Sequence, residues 1–338
     1  MTRPHPFRRS AGVALLAGLV VLAAVACGSD PEPTAVPSTT TSTEAGGSAT
    51  TGVATPVALP AAASAIEIVG TEYTFDLTAT GADGEVIDME GGEALPAGWT
   101  HVTFHNEGAE AHQVMFARLK DGVDLAALAD TAGGDSSGSA AIEFVDMLGG
   151  VSYIGPGQSI EALVDLPPGM VLAMCYVPDA HGVAHALMGM TTTLTVEEAA
   201  DAPADAPAGA GAAEPVVGTI EMAAEGYRVP DELPPGWYHV VNADEGEDGQ
   251  GLHELAILGL DEPLDGAALD QLLDDLATNA TPAVALDALG GLGALSAGFE
   301  AYLHLDLEAG PYLAVDFMPD PGEPRPHLLD GYVTAFEA

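Results

Sequence analysis

Residues 174–190 read MCYVPDAHGVAHALMGM and gather one cysteine, two histidines and three methionines into a short stretch. The chain has one other cysteine, Cys27. A cysteine outside a disulfide is a buried small hydrophobe, a reactive thiol or a metal ligand held as thiolate. Burial alone would be satisfied by Val or Ala. The neighbours favour weighing the ligand: His185 and Met188 follow Cys175, and His112 opens a separate apolar run well upstream. Two imidazoles and a thiolate in one plane, with a weak axial thioether, form a copper geometry suited to single-electron transfer. Such a site needs a cysteine at a strand end, a loop returning a histidine and a methionine, and a second histidine from an adjacent strand. His112, Cys175, His185 and Met188 meet those needs in order. His181 and Met190 compete for the places of His185 and Met188.

The elements that must carry these residues read as strands. WTHVTFHN, HQVMFARL, SIEALVDL, MVLAMCYV and MTTTLTV alternate or run apolar, with Gly and Pro between them. Leucines at helical spacing in GAALDQLLDDLAT, 266–278, predict a helix there, and the shorter VDLAALADTA, 123–132, predicts a second. Landmarks recur along the chain. LPAGWTHVTF (95–104) echoes LPPGWYHVVN (233–242), LGG recurs at 148–150 and 289–291, and DLPPGMVLAMCYVPD (165–179) echoes DLEAGPYLAVDFMPD (306–320). The offset is 141 from His112 to Asp179, and 142 at His185 and His327, which reads as an internal duplication. In the second copy His253 and His327 persist, while Asp316 stands for the cysteine and Asp330 for Met188. That copy lacks a thiolate and cannot hold such a copper. The recurrence selects His185 over His181, and it leaves open a structural role for both histidines. His253, Asp316, His327 and Asp330 offer a weaker set for a harder cation such as zinc.

The segments 102–114 and 175–196 resemble the cupredoxins: a histidine after an Asn-x-Gly turn, then a cysteine-to-methionine loop running into a last strand. The resemblance covers both copies. It implies an all-β chain of two tandem cupredoxin-like Greek-key β-sandwich domains, each with a short helical insertion. It implies one type 1 copper in the first domain, on His112, Cys175, His185 and Met188. Nine residues separate Cys175 from His185, a longer loop than in most small proteins of that family. The rival reading is a metal-free binding or structural module.

The predicted boundaries are 1–27, a lipoprotein signal ending at Cys27; 28–62, a disordered tether; 63–198, the first domain; 199–215, an Ala/Pro/Asp linker; and 216–338, a degenerate second domain. Arg3, Arg8 and Arg9 precede the apolar run 11–25, and LAAVAC resembles a bacterial lipobox, which makes Cys27 a lipidation site. The Ser/Thr/Pro-rich tether would reach about 30 Å root-mean-square. The expected location is extracytoplasmic, anchored by lipid to the cell membrane. Beyond Cys27 only Arg118, Lys120, Arg228 and Arg325 oppose 51 acidic residues. That balance excludes nucleic acid as a partner and suits high salt or a basic redox protein partner. His101 and His105 share a strand face and read as solvent-facing; Trp99 and Trp237 read as core anchors. No His-x-His pair and no His-Glu-x-x-His occurs, so no enzyme is expected.

Overall fold

The computed structural model describes residues 58–123, 142–198, 214–246, 251–320 and 325–338. The signal, Cys27, most of the tether, most of the linker and the helix predicted near 123–132 lie outside the described residues. The architecture is all-β, in two cupredoxin-like sandwich units. The first holds Ser64–Thr71 (β1), Thr74–Gly81 (β2), Val86–Ile87 (β3), Leu95–Pro96 (β4), Gly98–Asn106 (β5), His112–Leu119 (β6), Val145–Ile154 (β7), Ser159–Leu166 (β8), Gly169–Met174 (β9) and Thr191–Glu197 (β10). The second holds Val216–Ala223 (β11), Gly226–Arg228 (β12), Gly236–Asn242 (β13), Leu252–Leu260 (β14), Leu286–Ser296 (β15), Glu300–Leu305 (β16), Pro311–Val315 (β17) and Val333–Glu337 (β18). One helix, Gly266–Ala277 (α1), follows β14 and buries Leu272. It ends before Asn279, whose left-handed backbone (φ 54°) stops it.

Alternation builds the sheets. In β5, Thr100, Val102, Phe104 and Asn106 point inward while His101, Thr103 and His105 point outward. His101 and His105 meet Glu161 and Glu67 across the sheet, at 3.1 and 3.7 Å, and form no site.

The two units share both sheets. The strand orders are β12-β11-β13-β16-β8-β5-β1-β2-β3 and β18-β17-β14-β15-β7-β6-β9-β10-β4. At one seam Val151 pairs with Leu292; at the other Ala162 pairs with Leu303. Each of these residues faces the one 141 positions away, its own counterpart, so an approximate two-fold axis passes through both seams. Pairing covers edges that would otherwise expose unpaired backbone. A single apolar cluster runs through both units, from Ile66 and Phe104 to Leu295 and Leu303. Trp237 is a buried core anchor, as the sequence reading expects, and the partly buried Trp99 packs beside it, but not in the sandwich interior. They pack with Leu163 and Tyr302 in a separate cluster drawn from both units, because their positions on β5 and β13 face the outer side of the shared sheet.

The repeated LGG has a backbone cause. Gly150 and Gly291 sit at φ 119° and 121°, and a Cβ on either would lie 2.2 or 1.8 Å from the carbonyl oxygen of Val114 or Leu255. Only glycine lets β7 and β15 approach their neighbours there.

Candidate metal centre

The site is assembled at one end of the first unit by three pieces of chain. Asn106 closes β5, and its side chain fastens the turn that follows. Its Nδ2 donates to the carbonyls of Glu110 and Ile154, both at 2.8 Å, and its Oδ1 accepts from Gly108 N–H at 2.9 Å. That turn delivers His112 to the start of β6. Cys175 follows β9 directly. Its N–H donates to the Met190 carbonyl at 3.1 Å, and its carbonyl accepts from Ala186 N–H at 2.8 Å. His185 begins a 3-10 turn, His185–Met188, that ends on Gly189 in the left-handed region at φ 112°. His185 N–H donates to the Val177 carbonyl at 2.9 Å. The long loop is thus zipped to itself by backbone bonds, and Asp179 Oδ1 accepts from His181 and Val183 N–H inside it.

These contacts bring His112, Cys175 and His185 together, all buried. The facing atoms are both Nδ1 nitrogens and the sulfur. Nδ1 to Nδ1 is 3.1 Å; the sulfur lies 3.6 Å from His185 Nδ1 and 4.0 Å from His112 Nδ1. The point equidistant from the corners of that triangle lies about 2.1 Å from each, within the ~2.0–2.3 Å of imidazole and thiolate bonds to a copper-like metal. The electrostatics agree. Burial, then the neighbouring His185, holds His112 down to about 4, and burial also lowers His185, so both rings are neutral ligands. Burial pushes the Cys175 thiol up to about 12, while backbone N–H groups of Gln113 and Val177 hydrogen-bond the sulfur and work the other way. A thiolate here therefore needs a cation beside it. Geometry and donor set fit a type 1 copper site.

The methionine assignment changes. Met188 ends the 3-10 turn and is half-buried, whereas Met190, just past the Gly189 turn, is fully buried. His185 and Met190 are joined by a 3.0 Å backbone bond, and His327 and Tyr332 by an equivalent bond of 3.1 Å. Met190 therefore matches Tyr332, whose ring stacks on His253 at 4.0 Å between centroids. Asp330, paired with Met188 in the sequence reading, is exposed and bridges to Arg325 at 3.2 Å, away from the cluster. His181 is exposed and stands outside the cluster.

In the second unit, His253, Asp316 and His327 converge too. Both Nδ1 atoms hydrogen-bond Asp316 Oδ2, at 2.7 and 2.9 Å. Asp316 Oδ1 accepts from Met318 N–H at 2.8 Å and, longer, from Glu254 N–H at 3.4 Å. Those two donors are the counterparts of Val177 and Gln113. The outer nitrogens meet Asp244 and Asp320, at 2.9 and 3.3 Å. Burial opposes protonation of His327, but Asp316 and then Asp320 outweigh it and raise the ring to about 8.

Two contributors, Glu110 and Tyr73, escaped the sequence reading, and Asn106 entered it only as the first residue of the Asn-x-Gly turn. Asn106 has a counterpart in Asn242, whose side chain donates to the carbonyls of Gly251 and Leu295. An asparagine closing each of two matching strands was the available signal; five extra residues between Asn242 and His253 put the pair off the common offset. Glu110 reaches His185, its Oε2 lying 3.1 Å from Nε2. Tyr73 presents its ring edge to His185 at 5.1 Å, from a backbone at φ 64° that is unusual for an aromatic residue.

No protein-family model and no curated protein matches the sequence. Among solved structures, reduced auracyanin from Roseiflexus castenholzii is similar at 23% identity, over 40% of this chain and 98% of that one, with a TM-score of 0.25. A multicopper oxidase is similar at 17% identity, over 81% and 88%, with a TM-score of 0.19. Copper nitrite reductase from Nitrosomonas europaea is similar at 15% identity, over 81% and 92%, with a TM-score of 0.19. The fold reading rests on the strand order and register described above. The expectation of no enzyme is withdrawn: similar structures covering four-fifths of the chain include two copper enzymes, and a missing His-x-His pair does not decide the matter. Among the described residues no helix is long and apolar enough to cross a membrane.

Proposed function

We propose that the first unit binds one type 1 copper through His112 Nδ1, Cys175 Sγ and His185 Nδ1, with Met190 as a thioether donor, and carries single electrons. Copper bound there would supply a one-electron couple. The chain's residues do the rest. Cys175 gives up its thiol proton on binding, and the Gln113 and Val177 N–H groups hold the sulfur in place. The neutral imidazoles present their lone pairs inward. The Asn106 turn and the zipped 175–190 loop fix all three donors before metal arrives, which keeps reorganisation small when charge changes.

We further propose that the units extend over 63–198 and 216–338 as tandem copies, with a diacylated Cys27 tethering them at the outer face of the cell membrane. The acidic surface suits a basic redox partner. The lipobox and the charge balance support this part.

The convergence of three buried donor atoms about a point ~2.1 Å from each carries the copper reading. Adding Cu(II) to the purified chain should give an intense visible thiolate charge-transfer band at one equivalent, and Cys175→Ser should abolish it. A colourless protein at one equivalent, or an unchanged band in the variant, overturns the reading.

A further inference from the structure

His185 is fully buried, and its Nε2 faces out of the donor triangle toward Glu110 Oε2 at 3.1 Å. Both atoms are buried, and neither makes a hydrogen bond of regular geometry among the described residues; each faces the other as a close ion-pair contact. The Glu110 side chain is 41% exposed, yet the Oε2 that faces His185 is buried, as is the imidazole nitrogen. Tyr73 flanks the pair, its ring edge on His185 and its phenol beside the Glu110 and Asp179 carboxylates.

We propose that Glu110 is a positioning residue that fixes the proton of His185 on Nε2 and lowers the reduction potential of the copper centre. The inference rests on the copper reading above. A carboxylate facing Nε2 favours the proton on that nitrogen over Nδ1, whose neighbours are the His112 ring and the Cys175 sulfur. With Nε2 protonated, the Nδ1 lone pair faces Cys175 and His112, as ligation requires. A carboxylate behind a ligating imidazole also makes the ring a stronger donor, and its negative charge favours the more highly charged cupric state. The second unit offers an independent parallel. His327, the counterpart of His185, has Asp320 at 3.3 Å from its own Nε2. In the first unit the counterpart of Asp320 is Asp179, which is occupied with loop N–H groups. Glu110, from a different loop, takes over the task.

Glu110→Gln and Glu110→Ala in the full chain separate the two effects. The Gln carbonyl still accepts from Nε2 but carries no charge; Ala does neither. Nitrogen-15 NMR of the metal-free protein should show His185 as the Nε2–H tautomer in the wild type and in Glu110→Gln, and a mixture in Glu110→Ala. After copper loading, both variants should keep the visible band while Cu(II) affinity falls roughly 10–100-fold against a smaller change for Cu(I). Each tenfold in that ratio raises the potential by about 59 mV. An unchanged tautomer in Glu110→Ala, or a wild-type potential in both variants with the band intact, overturns the assignment of Glu110. A wild type without a band overturns the copper reading instead, and the tautomer measurement still decides what Glu110 does.

Discussion

Glu254 provides a sharp test of how this structure handles buried charge. It is 2% exposed. Its Oε1 accepts from Phe317 N–H at 3.1 Å, and its Oε2 has no partner among the described residues. Burial first, then the negative charge of Asp316, pushes the carboxyl from 4.5 up to about 8. Between those values the folded chain keeps a proton that the unfolded chain has released. Stability must therefore fall as pH rises through that window. Each pH unit is worth about 1.4 kcal/mol, and the window gives roughly 5 kcal/mol in all. The counterpart in the first unit is Gln113, 3% exposed, which suggests the substitution. Glu254→Gln keeps an acceptor for Phe317 and cannot titrate. The stability of the variant minus that of the wild type should be flat below pH 4.5, climb by roughly 5 kcal/mol up to about pH 8, and then level off. Urea unfolding of both proteins at a series of pH values measures that difference, in which other titrating groups cancel. Parallel profiles across pH 5–8 would refute the reasoning, because a carboxylate ionised in both states leaves no proton to count.

Two substitutions at the metal-centre positions give further tests. Asp316→Cys places a sulfur between His253 and His327, where the N–H groups of Glu254 and Met318 already point at the replaced carboxylate. Titration should then give two equivalents of coloured copper per chain, and a single equivalent would show that the second frame does not accept a metal. Met190→Leu should raise the copper reduction potential and alter the visible spectrum while Met188→Leu leaves both unchanged; voltammetry showing the reverse pattern would return the thioether role to Met188.

The sequence made some of this legible and hid the rest for definable reasons. The helix at Gly266–Ala277 was readable because its leucine spacing and its stop are local. The strands of the first unit were readable because one sheet face is buried and alternation reports it, as in β5. The seams were not readable. Val151 meets Leu292 and Ala162 meets Leu303 through backbone ladders, and nothing near either residue specifies a partner so far along the chain. Met188 and Met190 could not be ranked by spacing, because Gly189 reverses the backbone between them at φ 112°. Glu110 lay in plain sight two residues before His112, yet it serves His185, and only the folded loop brings them together.

The two units show why one frame can hold either a thiol or a carboxylate. In both, a pair of backbone N–H groups faces the central side chain, and two imidazoles turn Nδ1 toward it. In the second unit the negative charge of Asp316 is met by N–H protons on the rings themselves, and the gain shows as a His327 raised to about 8. That pocket meets the Asp316 charge with ring and backbone N–H groups. In the first unit the rings are driven the opposite way, His112 to about 4, so they bring no positive charge to the sulfur. Two N–H dipoles do not compensate a buried thiolate, as the thiol at about 12 records. The first pocket therefore remains protonated on sulfur until a cation occupies its centre, whereas in the second the ring N–H groups already meet the central carboxylate. A single residue, Cys175 against Asp316, thus decides whether the frame calls for a metal.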